Sequence, residues 1–275
     1  MVEEHHENVV ANLDIGVRFY RSVVTTNGYV PFHWHSSIEV VCVLAGELRF
    51  NFSGETHVVG PHQFMVVSSG VVHDVTNTPN RAYVLQIPLP FMTPYVAHAD
   101  QLHFRVTPDD SPAYRQVVRD FEGLGALIQQ QKVGYLFDMG ALVLHLLKGL
   151  VVNFTEATGP ATQVTSNLKN LIVYVNAHYR QPLTVHGLAR QFGYNANYLS
   201  RIFKEQVGIT LIDYLYKIRL NALYHDLQTT DRPIGELLTQ EGLTNPRTAR
   251  RLFKTLYNRL PVQVRAAARK HKTEN

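Results

Sequence analysis

Histidine, glutamate, arginine and asparagine are the residues of this chain whose spacing could do chemistry. The run Gly28-x4-His33-Trp34-His35-x3-Glu39-x6-Gly46 places two imidazoles, an indole and a carboxylate close together, and Gly70-x2-His73-x3-Asn77 adds a third imidazole. Imidazoles and a carboxylate can bind a divalent transition metal, hydrogen-bond a polar small molecule, or satisfy one another in a core. The second set is repeated. Leu199-Ser200-Arg201-Ile202-Phe203-Lys204 returns fifty residues later as Ala249-Arg250-Arg251-Leu252-Phe253-Lys254. Arg can donate two bonds to guanine O6 and N7 in a major groove, Asn can do the same for adenine, and Lys favours phosphates.

These residues need elements to position them. Apolar runs at Ile38–Leu44, Glu47–Phe52 and Gln63–Val67, separated by Ala45-Gly46, Ser53-Gly54, Gly60-Pro61, Ser69-Gly70 and Thr78-Pro79-Asn80, predict short strands of a barrel or sandwich. From Pro112 the period becomes helical: Tyr114, Val117, Val118, Phe121, Leu124 and Ile128 share one face, and Leu136, Met139, Leu142, Val143, Leu146 and Leu150 another. The small, polar stretch 153–166, with Gly159-Pro160, reads as a linker. Beyond it both copies of the repeat have one grammar. Thr184 caps a short helix, Gly193 turns the chain, and Asn195 opens a second helix that exposes Asn197, Ser200, Arg201 and Lys204. The second copy uses Gly242, then Asn245 and Pro246, and exposes Arg247, Arg250, Arg251 and Lys254. A short helix, a Gly turn and a polar helix spell a helix-turn-helix. Between the copies, Thr210 to about Leu227 predicts a rigid connecting helix that spaces two recognition helices by roughly one DNA turn, ~34 Å.

Charge divides along the same line. Residues 160–275 hold 17 Lys and Arg against 7 Asp and Glu, a net of +10, whereas residues 1–159 hold 9 against 15, a net of −6. A basic half joined to an acidic one suits a nucleic-acid binder attached to something else. A lone Cys42 excludes an intrachain disulfide, and the start Met1-Val2-Glu3-Glu4 is no signal peptide. No run of about 18 uncharged apolar residues is present. A cytoplasmic protein with no membrane partner is the expectation.

The run Leu183-Thr184-x3-Leu188-Ala189-x3-Gly193-Tyr194-x3-Tyr198-Leu199-Ser200-Arg201-Ile202-Phe203-Lys204-x3-Gly208, followed by Arg219-x2-Ala222, Ile234, Gly242, Phe253-Lys254 and Pro261-x3-Arg265, resembles the AraC/XylS family of transcription regulators. The resemblance implies two helix-turn-helix units on double-stranded DNA, with base-reading positions at Asn197, Ser200 and Arg201, then at Pro246, Arg247, Arg250 and Arg251. The second unit departs at Leu238, Leu243, Ala249 and Asn258-Arg259-Leu260, which makes it the more electrostatic of the two. The histidine runs resemble the two motifs of the cupin superfamily, with Ser68 where a Pro is usual. That implies a small barrel, and in metal-dependent relatives His33, His35, Glu39 and His73 would be ligands.

Together these give an α+β two-domain chain. Residues 1–152 form a cupin-like β-barrel with flanking helices, 153–166 a linker, and 167–275 an all-α tandem helix-turn-helix. The family resemblance implies a regulator, an activator by usual habit, with RNA polymerase as partner in that case. Its barrel would take a small polar effector, a sugar on this reading, through His33, Trp34, His35, Glu39 and His73, with Tyr29 and Phe32 as further stacking surfaces. No catalytic residue and no cofactor is expected, and the paired helices of 112–152 would join two subunits. The alternative is a metal-dependent cupin enzyme or metal sensor fused to the DNA-binding module.

Overall fold

The computed structural model describes residues 15–52, 54–156 and 166–273. Eight strands open it: β1 (Arg18–Val24), β2 (Gly28–His33), β3 (Ser37–Ala45), β4 (Leu48–Phe52), β5 (Glu55–Val59), β6 (Gln63–Val67), β7 (His73–Asn77) and β8 (Asn80–Pro88). They form two antiparallel four-stranded sheets, ordered β1-β8-β3-β6 and β2-β7-β4-β5. Between the sheets lies an apolar interior of Val41, Val43, Phe50, Met65, Val67, Val75 and Val84. This is the expected cupin-like architecture.

The outer face of the first sheet is covered by α2 (Pro112–Gln130) and α3 (Tyr135–Asn153), after a short α1 (Leu89–Met92). Ser111 caps α2 by accepting from the Tyr114 amide, as a Ser before a Pro-started helix should. On α3 the residues Met139, Val143, Leu146, Leu147 and Leu150 reach the core, while Phe137, Leu144 and Val152 remain exposed. This helix is long and apolar enough to cross a membrane by length and composition, with a mean hydropathy of 1.6, although Asp138 and Lys148 interrupt it. The part of the expected linker spanning 157–165 lies outside the described residues; before it, Thr155 pairs with Phe104 beside the barrel.

The helical half runs α4 (Ser166–His178), α5 (Val185–Gln191), α6 (Ala196–Val207), α7 (Leu211–Thr229), α8 (Ile234–Gln240), α9 (Pro246–Tyr257) and α10 (Pro261–Thr273). Both repeats form by the signals their sequences carry. Thr184 accepts from the Gly187 amide, Asn195 from Asn197 and Tyr198, and Asn245 from Thr248. Gly193 and Gly242 sit at φ +71° and +72°, where side chains are strained and glycine is not. Each unit has its own core, one around Leu188, Leu199 and Phe203, the other around Leu237, Leu238 and Phe253, and α7 contributes to both.

The two halves dock directly. Phe32 of β2 and Val72 lie in the core of the first unit, and Tyr29 lies in that of the second. Phe32 packs against Tyr214 with the rings tilted and centroids 5.4 Å apart, and Tyr29 meets Tyr257 edge-on at 6.5 Å. Full burial of rings this size stabilises the contact by roughly 2 kcal/mol each. The polar centre is Asp74, fully buried, which accepts from Tyr29 Oη at 3.0 Å and pairs with Lys217 Nζ of α7.

Candidate functional site

The barrel site is built on the strand pair β2 and β7. Pairing runs Gly28 to Asn77, Tyr29 to Thr76 and Val30 to Val75, then shifts so that His33 faces His73. One extra residue on β2 makes this a bulge, and Pro31, which has no amide to donate, sits in it. The bulge changes the alternation by one step. Tyr29 and Phe32 thereby share the outer face, against the helical half, while Val30 and His33 share the inner face. Beyond it strict alternation resumes. Trp34 faces out and lies under Lys169 Nζ of α4 at 4.4 Å, while His35 is buried within.

His33, His35 and His73 converge. Their ring centroids lie 6.1, 4.2 and 5.3 Å apart, and one ligand nitrogen from each falls within 4.8 Å of the other two. Each Nδ1 meets a carbonyl: His33 to Pro31 O at 2.8 Å, His35 to Ser37 O at 2.8 Å, and His73 to Val71 O at 3.0 Å. A carbonyl only accepts, so each Nδ1 carries the proton and, in the neutral ring, each Nε2 presents a lone pair. The Nε2 atoms of His35 and His73 are buried with no hydrogen-bond partner among the described residues. Burial, then the charges His33 and His35 would carry, hold the His73 pKa well below its ordinary value, so the ring is neutral at physiological pH. Three imidazoles oriented by their Nδ1 contacts form a donor set that fits a divalent transition metal. Glu39 lies 3.7 Å from His35 Nε2, but its Oε2 accepts from Gln86 Nε2 at 2.8 Å.

A cavity of about 820 Å³ opens beside the cluster. His33, Glu39, Tyr20, Asn77 and Asn80 line it from the barrel, and Asn221 of α7 lines it from the helical half. Asn221 carries no signal in the sequence, because the contact depends on how the halves dock. Trp34, Phe32 and Tyr29, expected beside the ligand, are corrected to the opposite face: Phe32 and Tyr29 by the bulge, Trp34 by alternation after it.

On the helical half, Asn197, Ser200, Arg201, Lys204, Arg247, Arg250, Arg251 and Lys254 are all exposed on α6 and α9. Arg201 is engaged within its helix, donating to Glu205 at 3.0 Å and lying 5.2 Å from the Tyr198 ring. Pro246 takes the first position of α9, where its missing amide costs nothing.

Comparison with known proteins agrees with both halves. A helix-turn-helix domain family matches residues 188–267 and a cupin domain family residues 21–86. The chain is 33% identical over 98 residues to the regulatory protein SoxS of Escherichia coli, covering 36% of this chain and 92% of SoxS. The chain belongs to the AraC/XylS family. It is also 21% identical over 267 residues to YdeC of Bacillus subtilis, an uncharacterised HTH-type transcriptional regulator, covering 91% of each. Among solved structures, ToxT from Vibrio cholerae aligns over 90% of this chain and 97% of its own, at 9% identity and a TM-score of 0.49. As an AraC/XylS protein with a cupin-like domain, the chain is a DNA-binding transcription regulator.

Exposure and chemistry separate roles on α6. Arg201→Ala is expected to relax base preference at one position by roughly 1–3 kcal/mol of discrimination, whereas Lys204→Ala lowers affinity for all sequences and reduces the salt slope by about one. Fluorescence anisotropy over a salt series, on a duplex selected from a randomised pool, reads both. Unchanged binding by both variants would show that α6 does not read the DNA.

Proposed function

We propose that this regulator responds to a small polar effector bound in the barrel, and that binding changes how α6 and α9 are presented to DNA. The observation that carries the reading is the cavity wall. His33, Glu39, Asn77 and Asn80 offer hydrogen bonds to a hydroxyl-rich ligand such as a sugar, and Asn221 places the helical half in the same wall. An effector in contact with both halves can favour one arrangement over another, which is the energetic requirement for a switch. The site reads as a binding site rather than a catalytic one. Activation, with RNA polymerase as partner, is the output we assign; a similar protein, RhaS of Klebsiella pneumoniae, 22% identical over 247 residues, is named a transcriptional activator.

A second reading has its own observation. The oriented Nε2 lone pairs of His33, His35 and His73 fit a divalent metal, which would supply a Lewis acid that holds an effector or acts as the signal itself. The two readings separate in one experiment on the full chain. Under the first, a monosaccharide panel yields a ligand that raises Tm and changes affinity for the selected duplex, and His33→Gln removes both responses. Under the second, Co²⁺ gives a visible ligand-field absorption that His35→Ala abolishes. A ligand whose binding leaves DNA affinity unchanged contradicts the regulator reading.

Dimerisation through α3 belongs to the same proposal, supported by the exposed Phe137, Leu144 and Val152 on a helix whose other face is buried. Sedimentation is expected to show a dimer that Phe137→Asp converts to monomer; a monomeric wild-type protein would rule this out.

A further inference from the structure

The two helix-turn-helix units are copies, and one of the positions where they differ carries a buried charge. Leu188, Ala189 and Gly193 of the first unit correspond to Leu237, Leu238 and Gly242 of the second. The residue before the glycine is Phe192 in the first copy and Glu241 in the second. Glu241 is 0% exposed, and it is the only buried carboxylate among the described residues of the helical half. A buried carboxylate is costly unless paired, so its partner explains why it is there.

That partner belongs to the other unit. Arg180, in the turn after α4, donates through Nε to Glu241 Oε1 at 3.1 Å and Oε2 at 3.0 Å. Gln240 Nε2 donates to Glu241 Oε1 at 2.9 Å. The pairing holds the Arg180 guanidinium above its ordinary pKa. Buried Arg219 of α7 completes the junction, donating to Tyr179 O and Gln181 O, each at 2.7 Å. Its guanidinium lies against Gly242: a Cβ there would come within 3.0 Å of Arg219 Cζ and 3.2 Å of Arg180 O. The second unit's turn thus closes onto the end of α4.

The packing leaves this junction a specific task. The first unit's core takes Leu211, Tyr214, Leu215 and Ile218 from α7, and the second takes Leu220, Leu223 and Leu227. Two separate apolar cores strung on one helix resist bending but are non-directional about its axis. Charge-assisted bonds to a planar guanidinium are directional.

We propose that Glu241, with Arg180 and Arg219, sets the relative orientation of the two units, so that these are positioning residues for simultaneous engagement of two DNA grooves by α6 and α9. The proposal rests on the reading that both helices grip DNA. Glu241→Phe restores the residue type of the first copy, a side chain that the same turn accommodates there, and Arg180→Met removes the partner from the partly exposed side. Each is made in the full chain and again on an Arg250→Ala/Arg251→Ala background, where α9 no longer contributes. The probe is a duplex selected from a randomised pool by the wild-type chain. In the wild-type background each variant weakens binding on the order of tenfold; on the α9-deficient background the loss falls below about twofold, because orientation no longer matters. Equal losses in both backgrounds would mean general damage to the fold and overturn the proposal, as would no loss in either. If Arg250→Ala/Arg251→Ala alone binds as tightly as wild type, the two-helix reading fails first, and that is seen without any variant at Glu241.

Discussion

Successive side chains of a β-strand leave on opposite faces, and one residue inserted into a strand exchanges those faces beyond it. The bulge at Pro31 uses both facts. It aims Tyr29 and Phe32 at the helical half while Val30 and His33 point into the barrel, and the partner strand matches it with Val72 and Asp74 outward and His73 inward. Each of the two facing histidines is therefore flanked by residues that hold the helical half: Phe32 and Trp34 around His33, Val72 and Asp74 around His73. Under the proposed reading, a shift of either strand toward a ligand would also move its contacts with α7, so that sensing and DNA binding would meet in two strands.

The outer face combines apolar and ionic contacts between the two halves. Buried Phe32 and Tyr29 add apolar stabilisation, but the centre of the contact is ionic. Asp74 also accepts from Tyr29 and Asn51, but without Lys217 its charge would be buried with no countercharge, so the pair holds the two halves together. Inside the barrel the balance is the reverse. The Nε2 atoms of His35 and His73 are buried with no hydrogen-bond partner among the described residues, a cost that a bound ligand or metal would remove. Under the proposed reading, filling that site beside the ionic contact is what couples effector binding to the helical half.

Much of this was legible in the sequence. The strands around Val40 and Met65, the stripes of α2 and α3, and both repeats with their Asn195 and Asn245 caps follow from local periodicity and capping. So does the set His33, His35 and His73, whose i, i+2 spacing puts two rings on one face. What could not be read depends on long-range placement. The bulge redirects Tyr29 and Phe32, and Trp34 meets Lys169 of a helix more than a hundred residues away. Asn221 joins the cavity only once the halves are docked, and Glu39 is drawn toward Gln86 by the pairing of β3 with β8. Glu241 was not singled out from the sequence, because its reason lies in Arg180 of the other unit.

The claim that the barrel strands and the DNA-binding half are coupled through β2 and β7 is tested most directly by amide hydrogen exchange of the full chain, with and without a saturating selected duplex. The account predicts altered exchange in 28–33 and 73–77, strands that carry none of the residues assigned to DNA, alongside protection of α6 and α9. Changes confined to the helical half, with β2 and β7 exchanging at the same rates in both states, would contradict it.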